Sequence, residues 1–448
     1  MNQSALISLA ISGAVAIGFV ACSAEPDGNT FDQTSTGTGA GSGTSNGNGG
    51  TAGSTAEGVG TGFATGVGGT TGTGTNCNND PSVDGDADGW TELEGDCNNC
   101  DANVNPGAVE VIVTEPVGTG GAGGVGGAGG GDGGVPEPAD EDCDGNVDEE
   151  EICDLALAVE DPDPQHGAAA IDICQVATNG TWGLVNASYA RANGQPTAAN
   201  LSVGILSHFG QAVNVQKGER MLALSSGNGR TPSDPGACGQ GSCSNSGAGT
   251  PPPGFPAQVA GCSGGSNIND DIALNLTLKA PTNATGYKFK FKFYSIEFPE
   301  FVCTSYNDQF IALVTPPPMG AIDGNISFDS ASNPVSVNIA FFDVCDPNGI
   351  GNFASVCGGC KPPPNPYCPS GIEQLQGNGF DGAWGDAGGT SWLQTTAPVQ
   401  PGQDFEIRFA IWDVGDTALD STVVIDAFEW IANGGTVNVG TDPVPVPQ

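Results

Sequence analysis

Apolar and polar positions alternate with a period of two in one segment after another towards the C-terminus. Ile272-Ala273-Leu274-Asn275-Leu276-Thr277-Leu278 places its large aliphatic side chains on one face of an extended strand. Tyr287 to Phe293, Phe310 to Val314, Val335 to Phe341, Phe405 to Ile411 and Val423 to Trp430 follow the same rule. Clusters of Pro, Gly and Asn separate these segments, and no long apolar pattern of helical period lies between them. Many short strands with turns between them predict a mainly β domain over residues 155–440, a β-sandwich of jelly-roll-like character. A domain of that length can bury a sizeable core of its own.

Upstream the pattern changes. Ala5 to Val20 is an apolar run, shorter than the ~20 residues a membrane-spanning helix needs. It predicts an export signal over residues 1–21. The run closes on Phe19-Val20-Ala21-Cys22, which resembles the lipobox of bacterial lipoproteins. That resemblance implies cleavage before Cys22 and a lipid on its side chain; the alternative is cleavage near Ala24 and release of a soluble protein. Residues 22–76 are dominated by Gly, Thr, Ser, Ala and Asn, which cannot build a core, and read as a disordered tether behind the lipid. Residues 77–154 are dense in acidic side chains, hold no Lys or Arg, and surround a Gly-rich insert from Gly118 to Gly134. Disulfides and bound cations have to supply order there. Residues 441–448 are Pro-rich and read as a disordered tail.

Charge narrows the partners. Lys and Arg number 10 against 51 Asp and Glu, a formal net charge of -41, and the first basic residue is Arg191. Such a chain repels nucleic acid and anionic membranes, whose recognition depends on Lys and Arg. Divalent cations are its natural partners. Of the 15 cysteines, setting Cys22 aside leaves an even number, as disulfides in an oxidising compartment require. Cys345, Cys357, Cys360 and Cys368 are expected to clamp one long loop, and Cys238, Cys243 and Cys262 to staple others.

The sharpest local motif runs from Asp140 to Glu151 and fits the calcium-loop pattern D-x-[DN]-x-[DN]-G-x5-E. Asp140, Asp142 and Asp144 supply alternating carboxylates, Gly145 the sharp turn, Asn146 a carbonyl, Asp148 a further carboxylate and Glu151 the closing ligand. Calcium takes six to eight oxygens at about 2.4 Å, and alternating acids on a tight loop gather several around one point. Asp84, Asp86 and Asp88 repeat the first half of the pattern, with Glu94 or Asp96 as the closing group. Asp101-Ala102-Asn103-Val104-Asn105 is a weaker third run. A solvated acidic stretch between domains is the plainer alternative for all three.

Two family resemblances follow from these residues. Gly95-Asp96-Cys97, Asn105-Pro106-Gly107-Ala108-Val109-Glu110 and Asp142 to Glu149, in that order, resemble a metal-binding motif of bacterial secreted proteins. Ile112 stands where that family has a cysteine, and the Gly-rich insert separates halves that are normally adjacent. Phe293 to Phe310, with Glu297-Phe298-Pro299-Glu300 and Asn307-Asp308, is similar to the choice-of-anchor L domain. Phe409 to Asp416 and Leu419 to Asp426 match its closing strands. This resemblance implies an extracellular bacterial domain whose neighbouring anchors vary, with no activity or ligand attached.

Within the β domain, Glu297, Glu300, Asn307, Asp308, Asp413 and Asp416 are candidates to hold a calcium ion or another ligand if their loops converge, with Asp420 and Asp426 edging the last hairpin. Turn chemistry accounts for them equally well. Lys288, Lys290 and Lys292 are expected to face away from the core and to pair with acids such as Asp404 or Glu406. Trp384 and Trp392 are candidates for an exposed sugar-binding surface. Only His166 and His208 are available as histidines, no G-x-S-x-G or H-E-x-x-H pattern occurs, and no enzymatic activity is expected. The resulting reading is an outer-membrane or otherwise surface-exposed lipoprotein presenting a β-sandwich for adhesion or for an extracellular glycan or protein ligand, with calcium-stabilised acidic loops. Its rivals are a secreted glycan hydrolase using a carboxylate pair and an envelope metal-sequestering protein.

Overall fold

A computed structural model describes residues 80–112, 138–178, 181–239, 242–299, 301–338, 341–346, 368–381, 387–432 and 435–445. The chain divides into Met1–Gly69 and Thr70–Gln448, and every described residue belongs to the second unit. The export segment, Cys22, the tether, Glu300, Cys357, Cys360 and Trp384 lie outside the described residues.

In chain order the strands are β1 (Gly183–Ala190), β2 (Val203–Leu206), β3 (Met221–Ser225), β4 (Ile268–Lys279), β5 (Ala284–Ser295), β6 (Gln309–Thr315) and β7 (Val335–Ser336). They continue with β8 (Phe342–Cys345), β9 (Gly388–Thr390), β10 (Leu393–Pro398), β11 (Asp404–Val414), β12 (Ser421–Ala432) and β13 (Gly440–Pro443). An α-helix, α1 (Pro164–Ala169), precedes them, its first turn capped by the Asp163 carboxylate accepting from Gln165 N. A five-stranded sheet runs β1-β4-β11-β6-β7, and an eight-stranded sheet runs β13-β10-β5-β12-β3-β2 with β9 beside β5 and β8 beside β9. All the pairings between these strands are antiparallel.

Alternation in the long strands explains how the two sheets meet. Leu274, Leu276 and Leu278 of β4 and Phe409 and Ile407 of β11 point inward from one sheet. Phe289, Phe291 and Phe293 of β5 and Val423 and Ile425 of β12 point inward from the other. These side chains form one continuous apolar layer from which water is excluded, the main favourable term in folding. The predicted β-sandwich is therefore present. Among the described residues, five cysteine pairs staple it and its acidic neighbour: Cys97–Cys143, Cys153–Cys174, Cys238–Cys243, Cys262–Cys303 and Cys345–Cys368.

Several features depart from expectation. β2 and β3 are buried at every position, so they carry no alternation to announce them. The sandwich also runs beyond residue 440: β13 pairs with β10 through Pro443, and Thr441 is buried against Thr395. A proline is tolerated there because it ends an edge strand.

The lysine partners need correcting as well. Asp404 and Glu406 lie on β11, in the other sheet, where Asp404 stands opposite Lys279. Lys288 instead pairs across to Glu429 of β12 at 2.8 Å. Lys292 does not face water at all. It is buried, its Nζ donates to Gln374 Oε1, and the rings of Tyr294 and Trp392 lie 5.7 and 5.8 Å away. Burial pushes its ammonium down to about 7, against a weaker upward pull from Asp343.

Candidate metal centres

Two acidic loops share one backbone design. In the first, Asp84 Oδ1 accepts from Ala87 N at 2.6 Å and Oδ2 from Gly89 N at 3.0 Å. In the second, Asp140 Oδ1 accepts from Asp144 N and Oδ2 from Gly145 N, both at 3.1 Å. Each loop has a left-handed residue at its fourth position, Ala87 at φ 69° and Cys143 at φ 61°. Each then turns on a glycine that an L side chain would strain, Gly89 at φ 98° and Gly145 at φ 96°. The purpose of such a turn is to bring alternate side chains to one side.

It does so here. Asp84, Asp86 and Asp88 each bring a carboxylate oxygen within 4.8 Å of the others, as do Asp140, Asp142 and Asp144. That span is about twice a calcium–oxygen distance of roughly 2.4 Å. Asp96, 3 % exposed, is not one of this trio, but its charge raises both Asp86 and Asp88. Glu94 does not close it; its carboxylate accepts from Thr91 Oγ1 instead. Asp86 Oδ2, Asp88 Oδ2 and Asp96 Oδ2 are buried with no hydrogen-bond partner. Asp86 is pushed up to about 6 by desolvation first and by Asp88 second. Buried, unpartnered oxygens that repel one another suit a cation.

The second centre differs from its predicted ligand set. Glu110, Asp142 and Glu149 converge within 4.8 Å, and Glu110, Glu141 and Asp148 form an adjoining group. Glu149 Oε2 and Asp148 Oδ1 are buried and without a partner. Asp142 is raised to about 6, chiefly by desolvation. Glu151 is exposed at this position of the chain, and Asn146 is exposed with its amide donating to Asp144. Glu110 and Glu149 are thus residues that the twelve-position loop pattern missed; the ends of the N-P-G-A-V-E and D-C-D-G-N-V-D-E motifs were the available pointers.

Glu110 also answers for the interrupted halves. Its Oε1 accepts from Glu141 N and Asp142 N, while Glu141 Oε2 accepts from Val111 N, so the chain on either side of residues 113–137 is clasped together. The Cys97–Cys143 disulfide ties the first loop to the second. The weaker third run has a different task. Asn105, fully buried, accepts from Thr282 Oγ1 at 2.8 Å, and Asn283 bonds Val109 N and O, docking the acidic module on the β4–β5 turn.

At the opposite end of the sandwich, set by the pairing of Val414 with Ile268, lie the β-domain candidates. Glu297 follows β5, Asp308 precedes β6 and Asp413 lies near the end of β11. All three are nearly inaccessible, at 2 %, 0 % and 1 % exposure. Asp308 Oδ1 accepts from Val414 N at 2.9 Å and Oδ2 from Ser421 Oγ at 2.7 Å. Burial raises all three carboxyls, and the charges acting on them come from other acids. Asn307 Oδ1 accepts instead from Asn338 N, and Asp416 is exposed at the hairpin tip.

A family model matches the chain over residues 170–429, under the description choice-of-anchor L domain. The chain belongs to the choice-of-anchor L family. No curated protein and no solved structure matches it. A choice-of-anchor domain points to a cell-surface or secreted protein, β-rich as the two sheets are. Within this choice-of-anchor L domain the family signature, Glu297, Asn307, Asp308, Asp413 and Asp416, falls at a single rim rather than along the sheets.

A second acidic pair sits where the domain meets the acidic module. Asp172 and Asp426 bond the same Ala427 N, at 3.1 and 2.6 Å. Desolvation pushes Asp172 up to about 6 and Asp426 to about 8; the Asp172 charge raises Asp426 further, while Lys217 and a hydrogen bond from Asp426 ease Asp172 back. The folded chain therefore keeps a proton that the unfolded chain loses near 3.8. Stability from this pair is complete below that value and is lost as pH rises through 6 to 8. Asp426→Asn should match the parent at pH 4 and exceed it by roughly 2 kcal/mol at pH 8, read by urea unfolding. Equal stabilities at pH 8 would contradict this.

Between the second acidic loop and the sandwich lies a cleft of about 770 Å³. Glu110, Asp142 and Glu149 form one wall, and Trp182, Trp430 and Lys288 another. Trp182 and Trp430 meet edge to face at 6.2 Å. Trp392, the described member of the predicted sugar platform, is half-buried beside Lys292 and does not line this cleft.

Proposed function

We propose that the protein is a cell-envelope surface lipoprotein, held by a lipid on Cys22, that presents its choice-of-anchor L sandwich for adhesion or extracellular ligand binding while calcium rigidifies its acidic loops. The observation that carries the calcium reading is the pairing of two like-folded loops, each turning alternate carboxylates, some buried and unpartnered, onto one point. Calcium would be held by Asp84, Asp86, Asp88 and Asp96 in one loop and by Asp140, Asp142, Asp144, Glu110 and Glu149 in the other. The cleft beside the second loop supports the ligand reading, because an aromatic wall facing a cation-loaded wall fits a polyol such as a glycan.

Calorimetry on the full chain should show calcium binding at millimolar concentration or below, and the double variant Asp86→Asn with Asp142→Asn should weaken it at least tenfold. Calcium at about 100 times its Kd should add ~2.7 kcal/mol per site to stability. Absence of heat from the parent protein would remove the calcium reading. A glycan and protein-ligand array tests the adhesion reading; glycan cleavage that vanishes with one carboxylate substitution would favour a hydrolase instead. Mass spectrometry of the parent against Cys22→Ala reads the lipid.

A further inference from the structure

We propose that Lys292 and Gln374 join covalently, as an amide between the lysine Nζ and the glutamine Cδ, stapling β5 to the segment that covers the outer face of its sheet. Lys292 lies on β5, is wholly buried, and donates from Nζ to Gln374 Oε1. Among the described residues no carboxylate forms an ion pair with it. The rings of Tyr294 and Trp392 border the amine at 5.7 and 5.8 Å. Leu375 and Phe380, from the same segment as Gln374, pack with Tyr294, Val424 and Trp392 in one apolar cluster. An ammonium in such surroundings is costly without a counter-charge. A neutral amine escapes that cost, and a desolvated neutral lysine is a nucleophile. Its hydrogen-bond partner is a carboxamide, whose carbon is the electrophile such an amine attacks.

The step balances without a co-reactant. Nζ attacks Cδ of Gln374, the Nζ–Cδ bond forms, the Cδ–Nε2 bond breaks, and ammonia leaves carrying the proton that Nζ sheds. Burial pushes the Lys292 ammonium down to about 7, so at pH 8 most of it is the attacking form. Folding supplies the approach, because an amine held against its acceptor needs no bimolecular encounter. Asp343 is the acid whose charge reaches Lys292. Its carboxylate accepts from Ser391 N at 2.6 Å and from Ser370 Oγ at 2.8 Å, beside Trp392, and it is the group placed to relay the proton to the departing nitrogen. The product is a neutral amide, so no buried charge remains. It links positions 82 residues apart, and together with Cys345–Cys368 it ties both β5 and β8 to residues 368–381.

The test is a tryptic map of the full chain, purified, then reduced and denatured, read by mass spectrometry. Cleavage should occur after Lys288 and Lys290 and fail after Lys292, whose amine is acylated. The fragment that carries both linked residues should weigh less than its sequence by one ammonia. Gln374→Ala should restore cleavage after Lys292, Lys292→Arg should restore the sequence mass, and Asp343→Asn should lower the linked fraction. Complete cleavage after Lys292 in the parent, with the fragment at its sequence mass, overturns the proposal. Loss of ammonia with normal cleavage after Lys292 overturns it too, because that marks a cyclised asparagine. The parent chain alone decides, whether or not each variant folds, and neither result bears on calcium or adhesion.

Discussion

Phe291→Ala should lower the stability of the protein by about 3–5 kcal/mol, the range for deleting a buried phenylalanine. Phe291 is inaccessible and lies at the centre of the inter-sheet layer. Its ring meets Phe310 of the opposite sheet at 5.1 Å and Phe289 at 6.0 Å. Across its own sheet it stands between Leu393 of β10 and Ile425 of β12. Strands on both flanks prevent collapse into the space, so the cavity remains largely open and its full cost is felt. Thermal unfolding should fall by roughly 5–10 degrees. Lys290→Ala, on the other face of the same strand, should move stability by about 0.5 kcal/mol at most. A Phe291 variant within about 1 kcal/mol of the parent would mean that this layer is not the core.

Asp271→Ala should cost about 3–5 kcal/mol by a different route. Asp271 is fully buried, its Oδ1 lies 2.5 Å from Arg191 Nη2, and its Oδ2 accepts from Ala192 N at 2.6 Å. Arg191 also donates to the carbonyls of Ser246 and Ala248, while the neighbouring Asp270 accepts from Ser244 Oγ and the amides of Asn245, Ser246 and Gly247. Two consecutive acids thus clasp one loop from its two sides. Removing Asp271 leaves the guanidinium without its counter-ion and one amide without an acceptor. Asp271→Asn keeps the acceptor and should lose visibly less than alanine. Equal losses for the two variants, read by chemical unfolding, would mean that the charge contributes nothing.

Sequence reading reached the sandwich because its long strands place their largest apolar side chains at alternate positions. β4, β5, β11 and β12 each expose an apolar face to the opposite sheet, and period two records that directly. β2 and β3 are covered on both faces, by the main core and by a second cluster around Phe209 and Tyr294, so alternation is lost. The same period places Lys292 in water, whereas Gln374 and two aromatic rings cover that face. Strand order is what separated the lysines from Asp404 and Glu406; alternation says which face a residue takes, not which strand lies beside it. In the acidic loops the local ligands are legible, because three alternating acids and a glycine dictate the turn. Glu110 is brought to the second loop by tertiary hydrogen bonds, and loop spacing cannot encode that. The far rim illustrates the same limit: Glu297, Asp308 and Asp413 are visible as motif letters, but their common burial follows from the hairpin packing.

The reciprocal clasp of Glu110 and Glu141 has a consequence for how the gene can vary. Glu110 and Val111 before the Gly-rich insert and Glu141 after it are held together by bonds that do not involve the insert, and the Cys97–Cys143 bridge encloses it. Closing a longer loop across two points already held together adds only slowly to the entropic cost. The segment is a tolerated splice point: its length can drift, or a foreign peptide can replace it, while both carboxylate loops keep their shape.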